Sequence, residues 1–394
     1  MTLGAAAVLI LQTVTLDDAF FAINFDVMFF LLGMFVLVAG LEASGMLNYV
    51  THKILSYAKT PKQIIFFILF VMGMLSAFLI NDTMALVATP IVVILAKSMK
   101  MRSAPLLITL AFGITIGSVL TPMGNPGNLL VSLDSGMEFP LLIFLQYLLI
   151  PTMSCMLATF FIVKWYYRKE LSVTVMPQIH VTEDLVTDHK LAKQSSLIIG
   201  FTVGGFFLVS VIKLLGISLE FNFSHVALIG GMLLLIISNK KRQIISKINW
   251  QILAFFAAMF VFMQAMWNGG FIELFQALLP FNAEIHSTFA PLNVLATSVV
   301  SSQIVSNVPF VALYVPVLQN AGFDSTDTLV WLSLAAGSTI AGNLTILGAA
   351  SNVIILEAAE KNGASFTFKE FFKVGSLVTA ANVTILVLFL IPFL

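Results

Sequence analysis

Four short polar segments interrupt a chain that is otherwise strongly apolar, and they hold residue types that can bind ions. They are residues 81–83, 121–128, 306–309 and 343–352, and each combines Asn with Gly, Pro, Ser, Asp or Thr. A helix broken at such a segment exposes free N–H groups at one end and free C=O groups at the other, so it can hold an anion or a cation. We therefore predict that the four segments bind a substrate and an ion.

The side chains of these segments give a specific set of predicted site residues. The substrate- and ion-binding residues are predicted to be Asn81, Asp82, Thr83, Thr121, Gly124, Asn125, Asn128, Ser306, Asn307, Asn343, Thr345, Gly348, Ser351 and Asn352. Sodium, bound as a coupling ion, would be held through Asn81, Asn125, Asn307 and Asn352, and no other cofactor is expected. The alternative is that these side chains only cap helix breaks and join helices, as Ser, Thr and Asn often do in bilayers.

Asp82 is the acidic member of the set. A carboxylate deep in a membrane is costly and is by default a functional residue. Asp82 could coordinate sodium or exchange a proton; the structural alternative is that it caps the start of a helix. Glu42 and Glu357 are weaker candidates, because each lies near a segment end and could reach an interface.

The motifs of common enzymes are missing from the sequence. There is no Walker A loop, no HExxH and no G-x-S-x-G, so neither an enzyme nor an ATP-driven pump is expected. The only cysteine, Cys155, lies in an apolar run and forms no thiol cluster for a metal. No Lys or Arg lies deep in an apolar segment, which favours small or singly charged anions over multivalent ones.

Composition sets the class of the protein. Of its 394 residues, 59% are hydrophobic and 10% are charged, whereas soluble domains carry about a quarter charged residues. Apolar segments of the length needed to cross a bilayer, about 20 residues, recur along the chain. The prediction is an all-α polytopic membrane protein with a single membrane domain. Acidic and basic residues cancel, so the bilayer and a small ion are the expected partners, and nucleic acid is not.

The placement of charge predicts orientation by the positive-inside rule. Lys213 is the one basic residue that falls among acidic loops, which carry Asp17, Asp18, Asp134, Glu138, Glu220, Glu273, Glu284, Asp324 and Asp327. The other basic residues share separate loops: Lys53, Lys59, Lys62, Lys97, Lys100, Arg102, Lys164, Arg168, Lys169, Lys190, Lys193, Lys240, Lys241, Arg242, Lys247, Lys361, Lys369 and Lys373. If the basic set is cytoplasmic, there are about nine full crossings, with the N-terminus inside, the C-terminus outside, and two re-entrant hairpins, 63–97 and 288–320.

Three blocks of sequence recur in the same order, which indicates an internal duplication. Residues 23–36 match 248–261 at an offset of 225, 76–90 match 302–316 at 226, and 113–128 match 337–352 at 224. The halves are residues 1–194, with a broken helix at 104–135, and residues 195–394, with a broken helix at 328–360. Their opposite topology predicts inverted repeats, a signature of secondary transporters that alternate access around a midplane site. The offset of 226 also places Val308 opposite Asp82, which therefore has no acidic counterpart.

These motifs resemble a known family over nearly the whole chain, from about Ile23. Residues 81–90, beginning Asn-Asp-Thr-Met, resemble the first hairpin tip of the ion transporter superfamily, which includes arsenite permeases, D-type sodium/proton antiporters, citrate permeases and divalent anion–sodium symporters. Residues 117–128 and 342–353, followed by 359–363, resemble its two broken helices. Carboxylate symporters show Ser-Asn-Thr at both tips, so the Asn-Asp tip here is closer to the arsenite and antiporter branches.

The resemblance implies a fold and a mechanism. It implies a homodimer built on scaffold helices, with a transport domain that moves as an elevator and carries substrate with sodium or protons. The expected function is secondary transport of a small anion or oxyanion, arsenite-like or a carboxylate, coupled to sodium or protons. The expected location is a prokaryotic inner membrane. Two alternatives stay open: a sodium/proton antiporter using Asp82, and an ion channel built on the same fold.

Overall fold

A computed structural model describes residues 1–58, 60–172, 185–215, 221–270 and 288–393. Within these ranges the chain is helical and holds no β-strand, so the predicted all-α class is confirmed. The helices are Thr2–Ile10, Leu16–Ala22, Phe25–Ala43, Met46–Ser56, Pro61–Phe67, Gly73–Leu79, Asn81–Ser98, Ala104–Ser118, Pro126–Asp134, Pro140–Tyr166, His189–Leu214, Phe223–Ile237, Lys241–Lys247, Trp250–Asn268, Ala290–Val305, Asn307–Asn320, Thr328–Ala341, Ala350–Lys361 and Phe368–Leu390. Of the charges used for orientation, Lys59, Glu220, Glu273 and Glu284 lie outside the described residues.

Seven helices of the described ranges are long and apolar enough to cross a membrane, so the polytopic class is also confirmed. They are Phe25–Ala43, Pro61–Leu79, Asn81–Ser98, Pro140–Tyr166, His189–Leu214, Trp250–Asn268 and Phe368–Phe393. Four shorter apolar helices accompany them: Ala104–Ser118, Phe223–Ile237, Ala290–Val305 and Thr328–Ala341. The count of nine crossings stays a prediction.

Four helical units carry the polar segments. The first helix pair is Pro61–Leu79 with Asn81–Ser98, and the second is Ala290–Val305 with Asn307–Asn320. The first split helix is Ala104–Ser118 with Pro126–Asp134, and the second is Thr328–Ala341 with Ala350–Lys361. They occupy the stretches predicted as hairpins and broken helices. That the pairs are re-entrant and that the halves are inverted stay predictions.

Each helix pair packs on the split helix of its own half, and small residues permit the contact. A Cβ on Gly117 would lie 2.0 Å from the carbonyl oxygen of Gly73, so the backbones of the first pair and first split helix touch there. Between Phe67 and Gly73 the first pair contains one turn of π-helix, Ile68–Met72, whereas Ala290–Val305 is regular α-helix.

Helices of one half also pack on helices of the other half. Asn307–Asn320 packs on Pro126–Asp134, and Ala350–Lys361 packs on Asn81–Ser98. A separate layer is formed by Phe25–Ala43, His189–Leu214 and Phe223–Ile237, in which a Cβ on Gly231 would lie 2.9 Å from the Cα of Gly33. The four polar segments therefore meet inside one body of interlocked helices.

Candidate functional site

The two helix pairs turn at matching residues that have a strained backbone. Ile80 has φ of 66° and Ser306 has φ of 71°, a left-handed region that non-glycine residues seldom adopt. Each turn is one residue long, because the next helix begins at Asn81 or at Asn307. The strained residues thus place an asparagine at the first position of each returning helix, where the backbone N–H groups have no partner within the helix.

The split helices are braced by a second matched set of contacts. Asn128 Nδ2 donates to the carbonyl of Ser118 (2.9 Å), the last residue of the first half-helix, and to that of Thr121 (3.3 Å), within the break. Thr121 Oγ1 also accepts from the N–H of Gly124 at 3.1 Å and donates to the carbonyl of Ala77 in the first pair. These contacts hold the shape of the break and dock it on the helix pair.

The second split helix repeats the pattern. Asn352 Nδ2 donates to the carbonyls of Gly342 (2.7 Å) and Thr345 (3.3 Å). Thr345 Oγ1 accepts from the N–H of Gly348 at 3.2 Å and donates to Oε1 of Gln303 at 2.8 Å. A Cβ on Gly348 would lie 2.8 Å from the carbonyl oxygen of Ala341, so the tight turn leaves no room for a side chain.

A cavity of about 520 Å³ lies where the tips, the split helices and helix Trp250–Asn268 meet. The predicted residues in its wall are Asn81, Asp82, Asn125, Ser306 and Asn307. Four helices begin at this cavity, at Asn81, Pro126, Asn307 and Ala350. The positive ends of their dipoles therefore converge on one space, which favours an anion.

Three asparagines in this wall have the same arrangement. Oδ1 of Asn81 accepts from the N–H of the next residue at 2.9 Å, and Oδ1 of Asn307 does the same at 2.9 Å. Oδ1 of Asn125 accepts from the N–H of Gly127 at 2.7 Å. A backbone N–H can only donate, so each contact must be made by the amide oxygen. The three NH₂ groups form no hydrogen bond with any described residue, which leaves them free to bind an acceptor.

Asp82 lies beside these donors, in the first turn of Asn81–Ser98. It is 6% exposed, and its carboxylate forms neither an ion pair nor a hydrogen bond with the described residues. The site thus combines a group of neutral donors with a buried carboxylate, that of Asp82, an arrangement that can bind an anion together with a cation or proton.

The other predicted residues lie outside the cavity wall. Asn128, Asn352, Thr121, Thr345, Gly124 and Gly348 shape the breaks; Thr83, Asn343 and Ser351 lie beyond the wall. Of the four asparagines proposed for sodium, only Asn352 has an Oδ1 without a hydrogen-bond partner among the described residues.

Sequence reasoning missed the apolar part of the wall. Ile252, Phe255 and Phe256 of helix Trp250–Asn268 line the cavity, as do Leu86 and Leu347. A small-molecule site is expected to be largely apolar. The sequence nevertheless gives no sign by which these apolar side chains could be distinguished from those that face lipid or the protein core.

The two weaker acidic candidates have different surroundings. Glu357 lines the cavity near Lys361. Glu42 instead forms an ion pair with Lys247, with 2.9 Å between Oε1 and Nζ, and neither residue lines the cavity.

Fold and site together define a membrane transporter rather than an enzyme, and comparison with known proteins supports this class. Residues 1–337 match the model of the citrate transporter family, so the chain belongs to that family, and the resemblance to the ion transporter superfamily is confirmed. The family is that of citrate transporters, although the tip motif favoured the arsenite and antiporter branches.

Individual relatives and a solved structure are similar to this chain over most of its length. The chain is 28% identical to the uncharacterized transporter Rv2684 of Mycobacterium tuberculosis, over 98% of this chain and 91% of that protein. It is 27% identical to the P protein of Mus musculus, over 92% of this chain and 53% of that protein. Among solved structures, the YdaH transporter of Alcanivorax borkumensis shares the fold with a TM-score of 0.50 and 15% identity, over 93% of this chain and 85% of that one.

Proposed function

We propose that this protein is a secondary transporter of a small carboxylate or oxyanion, coupled to sodium or protons, with the substrate bound in the cavity between the two tips. The observation that carries the proposal is the set of three free amide NH₂ groups, on Asn81, Asn125 and Asn307, in a wall where four helices begin. Donors and positive dipole ends bind an anion without a buried basic residue. The family supports citrate as the first substrate to test.

Asp82 is proposed to bind the coupling ion. A carboxylate beside a bound anion is repelled by it unless a proton or a sodium ion is present, so the two ligands would bind together. The same residue supports the alternative function, sodium/proton antiport, in which Asp82 alone exchanges ions and no anion moves. Elevator movement, a homodimer and a prokaryotic inner membrane follow from the resemblance and stay predictions.

The sidedness of the cavity supports an inward-open state. Its wall includes Lys361 and Asn249, which adjoin clusters of basic residues in sequence, and Leu347, another wall residue, is 65% exposed. The positive-inside rule makes this the cytoplasmic side. In this state a substrate would exchange with the cell interior.

The test uses purified full-length protein in liposomes that contain a pH-sensitive dye. A sodium jump is applied with no anion, or with citrate, succinate, phosphate or arsenite, and uptake of each labelled anion is measured in parallel. Sodium- or pH-gradient-driven accumulation of one anion supports the proposal and names the substrate. A pH change with sodium alone and no anion uptake would establish the antiporter instead, and anion flux that never exceeds equilibrium would indicate a channel.

The decisive variant is Asn125→Asp. It keeps the oxygen that caps Gly127 and replaces the free NH₂ by an acceptor, so anion affinity should fall roughly ten- to a hundredfold. Asn293→Asp is the matched control, because Asn293 is an exposed residue near the start of another helix. Equal affinity in both variants would contradict a donor role for Asn125.

A further inference from the structure

The internal repeat places a Thr and an Asn side chain at equivalent positions of the two halves, so two equivalent hydrogen bonds are expected. Only one of them is formed. Thr339 Oγ1 donates to Oδ1 of Asn128 at 2.9 Å, which joins the second split helix to the first. The offset of 224 makes Thr115 and Asn352 the counterparts of Thr339 and Asn128. Thr115 Oγ1 and Asn352 Oδ1 are nevertheless both buried without a hydrogen-bond partner among the described residues.

A third polar side chain, that of Asn343, belongs to the same break. Both polar atoms of Asn343 are buried and have no hydrogen-bond partner among the described residues. Gly342 joins the three residues: Asn343 follows it, Asn352 donates to its carbonyl, and a Cβ on it would lie 3.3 Å from Cγ2 of Thr115. Thr115, Asn343 and Asn352 are each 0% exposed.

Leaving several buried polar atoms unpaired is costly and calls for an explanation such as a bound ion or water. The counterpart positions form no such group, because Thr339 and Asn128 are bonded to each other and the position matching Asn343 is Val119. The polar cluster therefore occurs at only one of the two breaks, although the breaks themselves are matched.

The position of the cluster favours a cation. Helix Thr328–Ala341 ends at Gly342, so the negative end of its dipole lies at this region, although the carbonyls of Thr339, Ile340, Ala341 and Gly342 already accept hydrogen bonds. A Cβ on Gly375 would lie 2.2 Å from the carbonyl oxygen of Asn343, so helix Phe368–Leu390 closes over the cluster at a glycine. One turn further along that helix, Thr379 Oγ1 is also buried without a partner among the described residues.

We propose that Asn343 Oδ1, Asn352 Oδ1 and Thr115 Oγ1, with Thr379 Oγ1 beside them, form a sodium site behind the second split helix. None of these side chains lines the substrate cavity, so the site is separate from it. Neutral oxygen ligands at a half-helix C-terminus suit a monovalent cation, whereas calcium and magnesium are usually bound through carboxylates. The site rests on the proposed function in that it would bind a second cation, in addition to the coupling ion assigned to Asp82, and this cation would hold the second break in its binding shape.

The test measures sodium binding without transport. The unfolding midpoint of the detergent-purified protein is followed in sodium chloride and in choline chloride at equal ionic strength. We expect a sodium-specific rise in the wild type, because a ligand that binds only the folded state stabilises it. Asn343→Val, which copies Val119, and Thr115→Val should each weaken apparent sodium affinity by about tenfold or more.

Thr339→Val is the matched control. This variant removes the hydrogen bond from Thr339 to Asn128, so the unfolding midpoint should fall in both salts. The difference in midpoint between sodium chloride and choline chloride should stay as in the wild type. Asn125→Asp should likewise keep the sodium response although it weakens anion binding, which separates this site from the proposed function. The proposal is overturned if the wild type shows no sodium-specific rise, in which case water accounts for the free atoms, or if Asn343→Val and Thr115→Val respond to sodium as the wild type does.

Discussion

Asp82 is the residue whose surroundings most directly relate to coupling. It is buried in the wall that holds the proposed anion donors and forms no ion pair with the described residues. Because no ion pair depends on it, Asp82→Asn should leave the protein folded. Asn removes the negative charge, so anion binding should no longer require sodium or a proton.

The measurement compares two modes of citrate transport by Asp82→Asn in liposomes. Gradient-driven accumulation should be lost, whereas exchange of labelled for unlabelled citrate across the membrane should persist. Glu42→Gln serves as the control, since Glu42 pairs with Lys247 away from the cavity. Unchanged gradient-driven accumulation in Asp82→Asn would rule out its role in coupling.

The polar half of the site could be predicted from sequence, and the apolar half could not. Asn81 and Asn307 stand out because a polar residue in a long apolar segment has few reasons to be there. Phe255 and Phe256 have no such signal, and their role depends on where another helix places them. The division of the asparagines into donors at the cavity and braces of the breaks needed the hydrogen bonds, because both kinds share the same residue type.

At the scale of helices, the single-residue turns store backbone strain. Ser306 has φ of 71° and ψ of 163°, a region open essentially only to glycine. Ser306→Gly should therefore stabilise the protein by about 1 kcal/mol, offset in part by glycine's greater freedom when unfolded. Ser306→Ala removes the same hydroxyl but keeps the Cβ, so it should give no gain. Thermal unfolding of both variants checks this, and an equal midpoint would show that the turn is not strained.

Close contact between the first pair and the first split helix gives a second prediction. Gly117→Ala would bring a Cβ to 2.0 Å from the backbone oxygen of Gly73, which cannot turn away as a side chain can. Overpacking of this kind costs about 1–3 kcal/mol or more. The matched variant is Gly200→Ala, also within a helix, where a Cβ meets nothing within 4 Å. Thermal unfolding should show a large loss for Gly117→Ala and none for Gly200→Ala; equal midpoints would contradict the contact.

Helix lengths and breaks were accessible to sequence analysis because they depend on local composition. The predicted stretch 104–135 contains Ala104–Ser118 and Pro126–Asp134, separated at the Gly- and Pro-rich segment. The packing of Gly73 on Gly117 could not be predicted, because the sequence does not show which residue a glycine contacts in the fold. The hydrogen bond between Thr339 and Asn128 joins residues that are 211 positions apart in sequence, so it too depends on how the helices assemble.

For the whole molecule, the inward-open arrangement can be tested with cysteine labelling. The single native cysteine, Cys155, is 0% exposed, so added cysteines can be followed against a low background. Leu347→Cys, at an exposed position of the cavity wall, should react with a membrane-impermeant maleimide in inverted vesicles but not in right-side-out cells, and citrate should slow the reaction. Ser325→Cys, exposed in an acidic loop, should show the opposite sidedness. Labelling of Leu347→Cys from the outer face alone would reverse the assigned orientation.

The π turn at Ile68–Met72 bears on how the two halves diverged. Such a turn holds one more residue than an α turn of similar height, so it takes up an added residue within a continuing helix. If the halves descend from one copy, a gain of length in this arm could be absorbed locally. Ile80 and Ser306 still coincide in conformation at the tips, although the arms that lead to them differ. A change in the length of an arm is thus compatible with a turn that still presents Asn81 to the cavity.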